Sequence, residues 1–319
     1  MMDQAIKDFA KQFTYQPAIE NQSSFKPMNK FILCGMGGSH LCGDLFRTIK
    51  PDVDLIIHSN YGLPQIDLSD RLVVASSYSG NTEETIDAFE SAIEKGLPVI
   101  VISVGGKLIE LAKMNKVAYI QLPDTDIEPR SALGFSFRAL LLATGQQSLL
   151  EQSDQMATVL QPAALEQAGK ALASEFNGYV PIIYSSDQNF ALAYNWKIKL
   201  NETGKIPAFY NLLPELNHNE MNGFDVNKKT KDLSKGFKFI FLQDSSDHPR
   251  VIKRFLVLEQ QYKSRRFIVK TIETKGKSEM ERVFSSLLLA DWFAFYTAKN
   301  YGLEAEQVPM VEEFKKMIG

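Results

Sequence analysis

Uninterrupted apolar runs separated by helix-like stretches constrain this chain more than any other feature. FILC (31–34), VDLII (53–57), LVVAS (72–76), PVIVIS (98–103) and VAYIQL (117–122) carry Val, Ile and Leu without the polar alternation of a one-sided sheet. Strands of that kind are buried on both faces, as in a parallel sheet covered by helices. Helical spacing fills the intervals at 39–49, 82–95, 107–115 and 131–147. Gly96, followed by Pro98, stops one helix and opens the next strand. Repeated βα units of this sort build a layered α/β domain.

The second half repeats the grammar. YVPIIYS (179–185), FKFIFL (237–242) and RFIVKTI (266–272) read as strands. Asp187 to Leu200 reads as a helix with Leu192, Trp196 and Leu200 four apart and Asp187 as N-cap. Pro249 to Tyr262 is a helix with Pro in its first turn, and Ser278 with Glu281 makes a capping box for a long helix ending at Asn300. The polar, unpatterned stretch QQSLLEQSDQ, within 146–160, reads as the join between two similar domains, and Pro309 to Gly319 as a short helix or arm. A chain of 319 residues, 45% hydrophobic, is long enough for two cores.

Composition excludes several classes. A net charge of −3, with only short basic patches near 227–231 and 263–266, gives no footprint for nucleic acid. Two cysteines, Cys34 and Cys42, suit small buried residues in a reducing compartment rather than a disulfide framework. Four histidines lack metal-ligand spacing, so no metal is expected. The opening MMDQAIKDFAKQF has no apolar core for a signal peptide, and no run approaches the ~18 apolar residues of a membrane span. A cytoplasmic protein is the expectation.

Two loops follow strands of the first domain, where open α/β sheets bind ligands. In CGMGGSHLCGD (34–44), Gly35, Gly37 and Gly38 permit a tight turn with exposed N–H groups, and Ser39 is placed to cap the next helix. The spacing is not G-x-G-x-x-G, and no acidic residue ends the second strand to hold a ribose, so a dinucleotide is disfavoured. In SSYSGNTEETI (76–86), Ser77, Ser79, Gly80 and Thr82 surround a helix start. Free N–H groups, the helix dipole and neutral hydroxyl donors suit one phosphate monoester. The plainer alternative is that Asn81 or Thr82 merely caps the helix. Further along, Glu202 ends a helix and Arg130 opens one, each against the dipole. His218 lies among Asn217, Asn219 and Glu220 in FYNLLPELNHNEMNGF (209–224).

GMGGS, SYSGNTEET, EPRSALGF, NET, FYNLLPELNHNE and VPMVEEFKK, in that order, resemble the bifunctional phosphoglucose/phosphomannose isomerases, which have two sugar isomerase (SIS) domains. The resemblance spans about 28 to 316. It implies an α/β fold of two SIS-type domains, each a parallel sheet flanked by helices. Residues 1–150 would carry the phosphate loop, 151–308 the acid–base residues, and 309–319 an arm reaching the active site. It implies interconversion of glucose 6-phosphate or mannose 6-phosphate with fructose 6-phosphate, without a cofactor. Ser77, Ser79 and Thr82 would bind the phosphate, and Gly37, Gly38 and Ser39 line the sugar site. Glu202 would be the base, and Arg130 would stabilise the enediol(ate). His218, supplied across a homodimer, would assist ring opening, as would a terminal lysine, Lys315 or its neighbour Lys316. A carboxylate can shuttle a proton between adjacent carbons, and a guanidinium favours a developing enediolate. Another SIS enzyme of amino-sugar type and a non-catalytic sugar-phosphate regulator are the competing classes. No basic helix-turn-helix pattern accompanies this chain to support the regulator.

Overall fold

A computed structural model describes residues 2–318. The chain forms two compact units. One runs from Asp8 to Leu160; the other takes the chain from Gln161 onward together with the N-terminal helix α1 (Met2–Lys7).

In the Asp8–Leu160 unit, β1 (Lys30–Cys34), β2 (Asp54–His58), β3 (Leu72–Ser76), β4 (Val99–Ser103) and β5 (Ala118–Gln121) form one sheet in the order β2-β1-β3-β4-β5. All four pairings are parallel. The central strands β3 and β4 are buried at every position, which is why their sequences show no alternation. Helices α2 (Gly38–Ile49), α3 (Glu83–Glu94) and α4 (Gly106–Met114) are the crossovers. The predicted helix 131–147 is shorter, α5 (Leu133–Ala143), and follows a 3-10 turn at Pro129–Ser131. The stretch expected to be unpatterned near 146–160 is instead helical. It forms α6 (Gln147–Ser153) and α7 (Met156–Val159), because Leu150, Met156 and Leu160 are buried and anchor it.

In the second unit, β6 (Val180–Ser186), β7 (Phe209–Leu213), β8 (Phe237–Gln243) and β9 (Val269–Glu273) form a parallel sheet in the order β7-β6-β8-β9. Strand β7 has no counterpart in the sequence reading. It is an edge strand, half-buried at most positions, so it needs no continuous apolar run. Helices α8 (Glu166–Glu175), α9 (Phe190–Glu202), α10 (Pro249–Ser264) and α11 (Glu279–Asn300) accompany the sheet, and α12 (Pro309–Ile318) ends the chain. Ser186, not Asp187, caps the entry to α9: its hydroxyl accepts from the Asn189 N–H, and Asp187 lies inside the 3-10 turn. The capping box of α11 forms in half. Ser278 accepts from the Glu281 N–H, while the Glu281 carboxylate accepts from the Lys277 N–H rather than from that of Ser278.

Helix α9 is held on α11 by two buried polar links. Trp196 donates to Ser286 at 3.0 Å, and Lys199 pairs with Asp291 at 2.5 Å. Gly169 of α8 permits the close crossing with α11, since a Cβ there would sit 2.3 Å from the Cβ of Trp292. Among the described residues no helix is long and apolar enough to cross a membrane.

Candidate active site

The strand order β2-β1-β3-β4-β5 reverses direction at β1, so its crevice opens at the carboxyl ends of β1 and β3. The two loops singled out in the sequence are the loops that follow these strands. They are joined to each other. Ser39 Oγ accepts from the Tyr78 N–H at 2.8 Å, and Ser76 Oγ donates to the Ser39 carbonyl at 3.2 Å. Ser39 therefore does not cap α2, as expected from sequence. Gly37 holds the N-cap position with φ +49°, and the Ser39 hydroxyl is turned across to the second loop.

In the second loop, Ser77 is fully buried and its Oγ lies 2.8 Å from Thr82 Oγ1. Ser77 Oγ also accepts from the Gly80 N–H at 3.1 Å. Thr82 occupies the N-cap position of α3 but makes no side-chain cap bond. The N–H groups at a helix start have no intrahelical acceptor, and here the hydroxyl that would cover them faces inward instead. The simple capping account of Thr82 thus fails on geometry. Asn81 does not cap α3 either; its Oδ1 accepts from the Lys107 N–H of α4. Ser79 is exposed, with its Oγ accepting from the Asn81 N–H at 3.3 Å.

A third glycine loop, Gly105–Gly106 after β4, buttresses the second. Gly80 has φ +74°, and a Cβ on it would lie 1.8 Å from the Gly105 carbonyl oxygen. The Leu108 N–H donates to the Gly80 carbonyl, and the Val104 N–H to that of Tyr78. The sequence reading passes over this loop, although a Gly-Gly pair directly after an apolar strand is the same signal that marks the first one.

Arg130 is 2% exposed. It does not open a helix, as expected, but sits in the 3-10 turn that precedes α5, so the dipole objection lapses. Its guanidinium pairs with Glu128 at 3.2 Å. The backbone of Pro129 and Arg130 lies directly on Gly38, where a Cβ would approach within 2.7 Å of the Pro129 carbonyl carbon. The close fit of Gly38 against this turn fixes Arg130 beside the first glycine loop. One unit thus collects Gly37, Gly38, Ser39, Ser77, Ser79, Thr82 and Arg130.

Helix α2 also carries a buried pair, His40 and Asp44, at 3.5 Å. Burial pushes the Asp44 carboxyl up to about 7, and burial holds the His40 imidazole below its usual value. The folded chain therefore binds more protons at Asp44 than the unfolded chain, whose aspartate titrates near 3.8. That favourable term is complete below the unfolded value and is lost as pH rises through about 7. Asp44→Asn removes the cost of ionising a buried carboxyl. It is expected to stabilise the protein by roughly 3 kcal/mol at pH 8 and to change little at pH 4. Thermal melts of both proteins at the two pH values check this; equal shifts at both would refute it.

In the second unit, Glu202 is the last residue of α9 and is half-buried. The unfavourable placement of an acid at a helix end is relieved by Lys205, a left-handed residue at φ +58°. Its ammonium donates to the Glu202 carbonyl and to the Gln307 carbonyl. The chain end carrying α12 is thereby tied to the end of α9. Sequence reasoning missed Lys205, because nothing local marks a lysine that bonds to a carbonyl 102 residues away. His218 is exposed at the end of a 3-10 turn, Glu215–His218. It lines a polar cavity of about 380 Å³ with Asn217, Asp225, Gln261 and Arg265, and Glu202 is not in that lining. Lys315 lies on exposed α12 and pairs with Glu312 at 2.8 Å.

The switch-point crevice of the second unit is built differently. The loops after β6 and β8 supply Asn189, Asp244 and Asp247, and Arg282 of α11 closes on them, 2.8 Å from Asp244. Two carboxylates make this a poor phosphate site, and the internal ion pair fills it.

Two parallel sheets with helical cover and a hydroxyl loop at the switch point define an SIS-type phosphosugar fold. The tagatose-6-phosphate ketose/aldose isomerase of Escherichia coli superposes with a TM-score of 0.68 at 16% identity, over 96% of this chain and 94% of that one. The family model of the bacterial phospho-glucose isomerase C-terminal SIS domain matches residues 165–318. The bifunctional phosphoglucose/phosphomannose isomerase of Caldicellulosiruptor bescii is 33% identical over 91% of this chain and 90% of its own length. That of Aquifex aeolicus is 30% identical over 98% of this chain and 96% of its own length. The chain belongs to the bifunctional phosphoglucose/phosphomannose isomerase family.

Proposed function

We propose that this chain interconverts glucose 6-phosphate or mannose 6-phosphate with fructose 6-phosphate through an enediol(ate). The hydroxyl loop at the β1/β3 switch carries this reading. Ser77 and Thr82 are turned toward each other, leaving the start of α3 uncapped by a side chain. Ser77, Ser79 and Thr82 hold the phosphate, and Gly37, Gly38 and Ser39 line the sugar. Neutral donors and a helix start balance its charge without a metal. The anchored phosphate supplies remote binding energy for orienting the reacting carbons.

Once the ring is open, Glu202 takes the proton from C2 of the aldose. The C2–H electron pair forms the C1–C2 double bond, and charge moves onto the C1 oxygen. Arg130 stabilises that charge. Glu202 returns the proton to C1 as the C2 oxygen becomes the carbonyl and gives its proton to the C1 oxygen. C2 is planar in the intermediate, so glucose and mannose phosphates share it. His218 of a second subunit and Lys315, or Lys316 beside it, move protons on the ring oxygen during opening. The exposure of His218, in a cavity whose lining does not include Glu202, supports its supply across a homodimer. The cytoplasm, where sugar phosphates occur, is the proposed site of action.

Fructose 6-phosphate should form from both aldose phosphates in a coupled assay. Formation from neither would sink the proposal, as would release of ammonia from an amino-sugar phosphate in place of isomerisation.

A further inference from the structure

The turn that carries His218 holds one acid to which the proposed reaction gives no part. Glu220 follows His218 by two residues and opens the 3-10 turn Glu220–Phe224. Its carboxylate is clasped by two donors. Oε1 accepts from the Tyr184 hydroxyl, and Oε2 accepts from the Asn211 side-chain amide. Tyr184 of β6 and Asn211 of β7 are register partners on neighbouring strands, so the two donors stand side by side. Hydrogen bonds to an ionised acceptor are about twice as strong as neutral ones, and here each carboxylate oxygen has one.

Both donors are themselves fixed. Tyr184 is fully buried, with its ring stacked on Phe241 and its hydroxyl 3.4 Å from that of Tyr262. Burial holds its phenol far above the ordinary value, so it stays a donor at neutral pH. Asn211 Oδ1 accepts from the Leu212 N–H at 2.8 Å, which turns the amide nitrogen toward Glu220. The other anchors of the turn lie ahead of His218. Leu216 is fully buried in the aromatic core, and Asn217 Oδ1 accepts from Arg254 of α10 at 3.1 Å. Glu220 is the polar anchor behind it. His218 is exposed, so the backbone held between these anchors sets the place of its ring. Misplacing a reacting group by about 1 Å can cost about 10²-fold in rate.

We infer that Glu220 is a positioning residue for His218: clasped by Tyr184 and Asn211, its carboxylate locks the turn in the register that presents the imidazole to the sugar ring oxygen. This rests on the reading of His218 as a ring-opening group.

Glu220→Gln in the full-length protein keeps the shape but turns one accepting oxygen into a donor. It should lower kcat on glucose 6-phosphate about 30-fold and leave KM within about threefold, because the phosphate loop belongs to the other unit. Adding Asn211→Asp restores both bonds, since the amide can donate to the new carboxylate and still accept from Tyr184. The pair should bring kcat back to within about threefold of the parent. In a His218→Ala background Glu220→Gln should cost nothing further, as for two residues that act as a unit. An unchanged kcat in the single variant, no recovery in the pair, or the full loss in the His218→Ala background overturns the proposal. Histidine ring NMR reads the placement without turnover. Tyr184→Phe removes one bond without altering charge, and should shift or broaden the His218 signal alone among the four histidines. An unmoved signal overturns the positioning even in an active enzyme. A moved signal in a protein whose turnover survives His218→Ala leaves the positioning and sinks the ring-opening reading.

Discussion

Glu202→Gln is expected to lower kcat with glucose 6-phosphate by about 10³-fold while leaving sugar-phosphate affinity and melting temperature nearly unchanged. The amide has almost the shape of the carboxylate but cannot hold the migrating proton. The helix end survives the change, because Lys205 bonds to the backbone carbonyl of Glu202. Equilibrium binding of a non-isomerising sugar phosphate and steady-state kinetics provide the two readouts. A variant that keeps its turnover would remove Glu202 from the mechanism. A variant that loses affinity along with turnover would recast it as a binding residue.

Gly80→Ala should also be damaging, by a different route. At φ +74° the alanine is strained, and its Cβ falls 1.8 Å from the carbonyl oxygen of Gly105, a backbone atom that cannot swing aside. The loop must move, which breaks the bond from the Gly80 N–H to Ser77 and shifts the Ser77–Thr82 hydroxyl pair. A stability loss of about 3 kcal/mol and a KM raised at least tenfold are expected. Gly96→Ala is the control. Gly96 also has positive φ, +64°, but nothing lies within 4 Å of its Cβ position. It should cost only about 1 kcal/mol and leave KM alone. If the two variants behave alike, close packing of the loops does not hold the phosphate site.

Much of the fold was legible because burial on both faces leaves a direct trace. The runs LVVAS and PVIVIS become β3 and β4, both buried throughout. Strand β7 left no such trace, because an edge strand with one covered face can be written as FYNLL. The helices within 146–160 left no trace for a related reason: short helices anchored by single residues such as Leu150 and Met156 show no sustained period. Ser186 replaced Asp187 as cap because sequence offers two adjacent candidates and only the backbone path selects one.

The candidate site divides along the same line. Residue types and their crowding at helix starts were visible in SYSGNT and GMGGS. Their bonding was not. Ser39 and Thr82 each have a local capping role open to them, and each instead turns to a partner, Tyr78 or Ser77. Lys205 reached Gln307 through a contact no local pattern encodes. By itself the chain determined its layers, its repeated βα grammar and the chemistry of its loops, because hydrophobic period and turn residues are local properties. Only the tertiary structure decided that the two loops flank one switch point and that Gly38 seats Arg130 beside them. Those facts depend on strand order and on backbone approach between segments distant in sequence, and no local property specifies either.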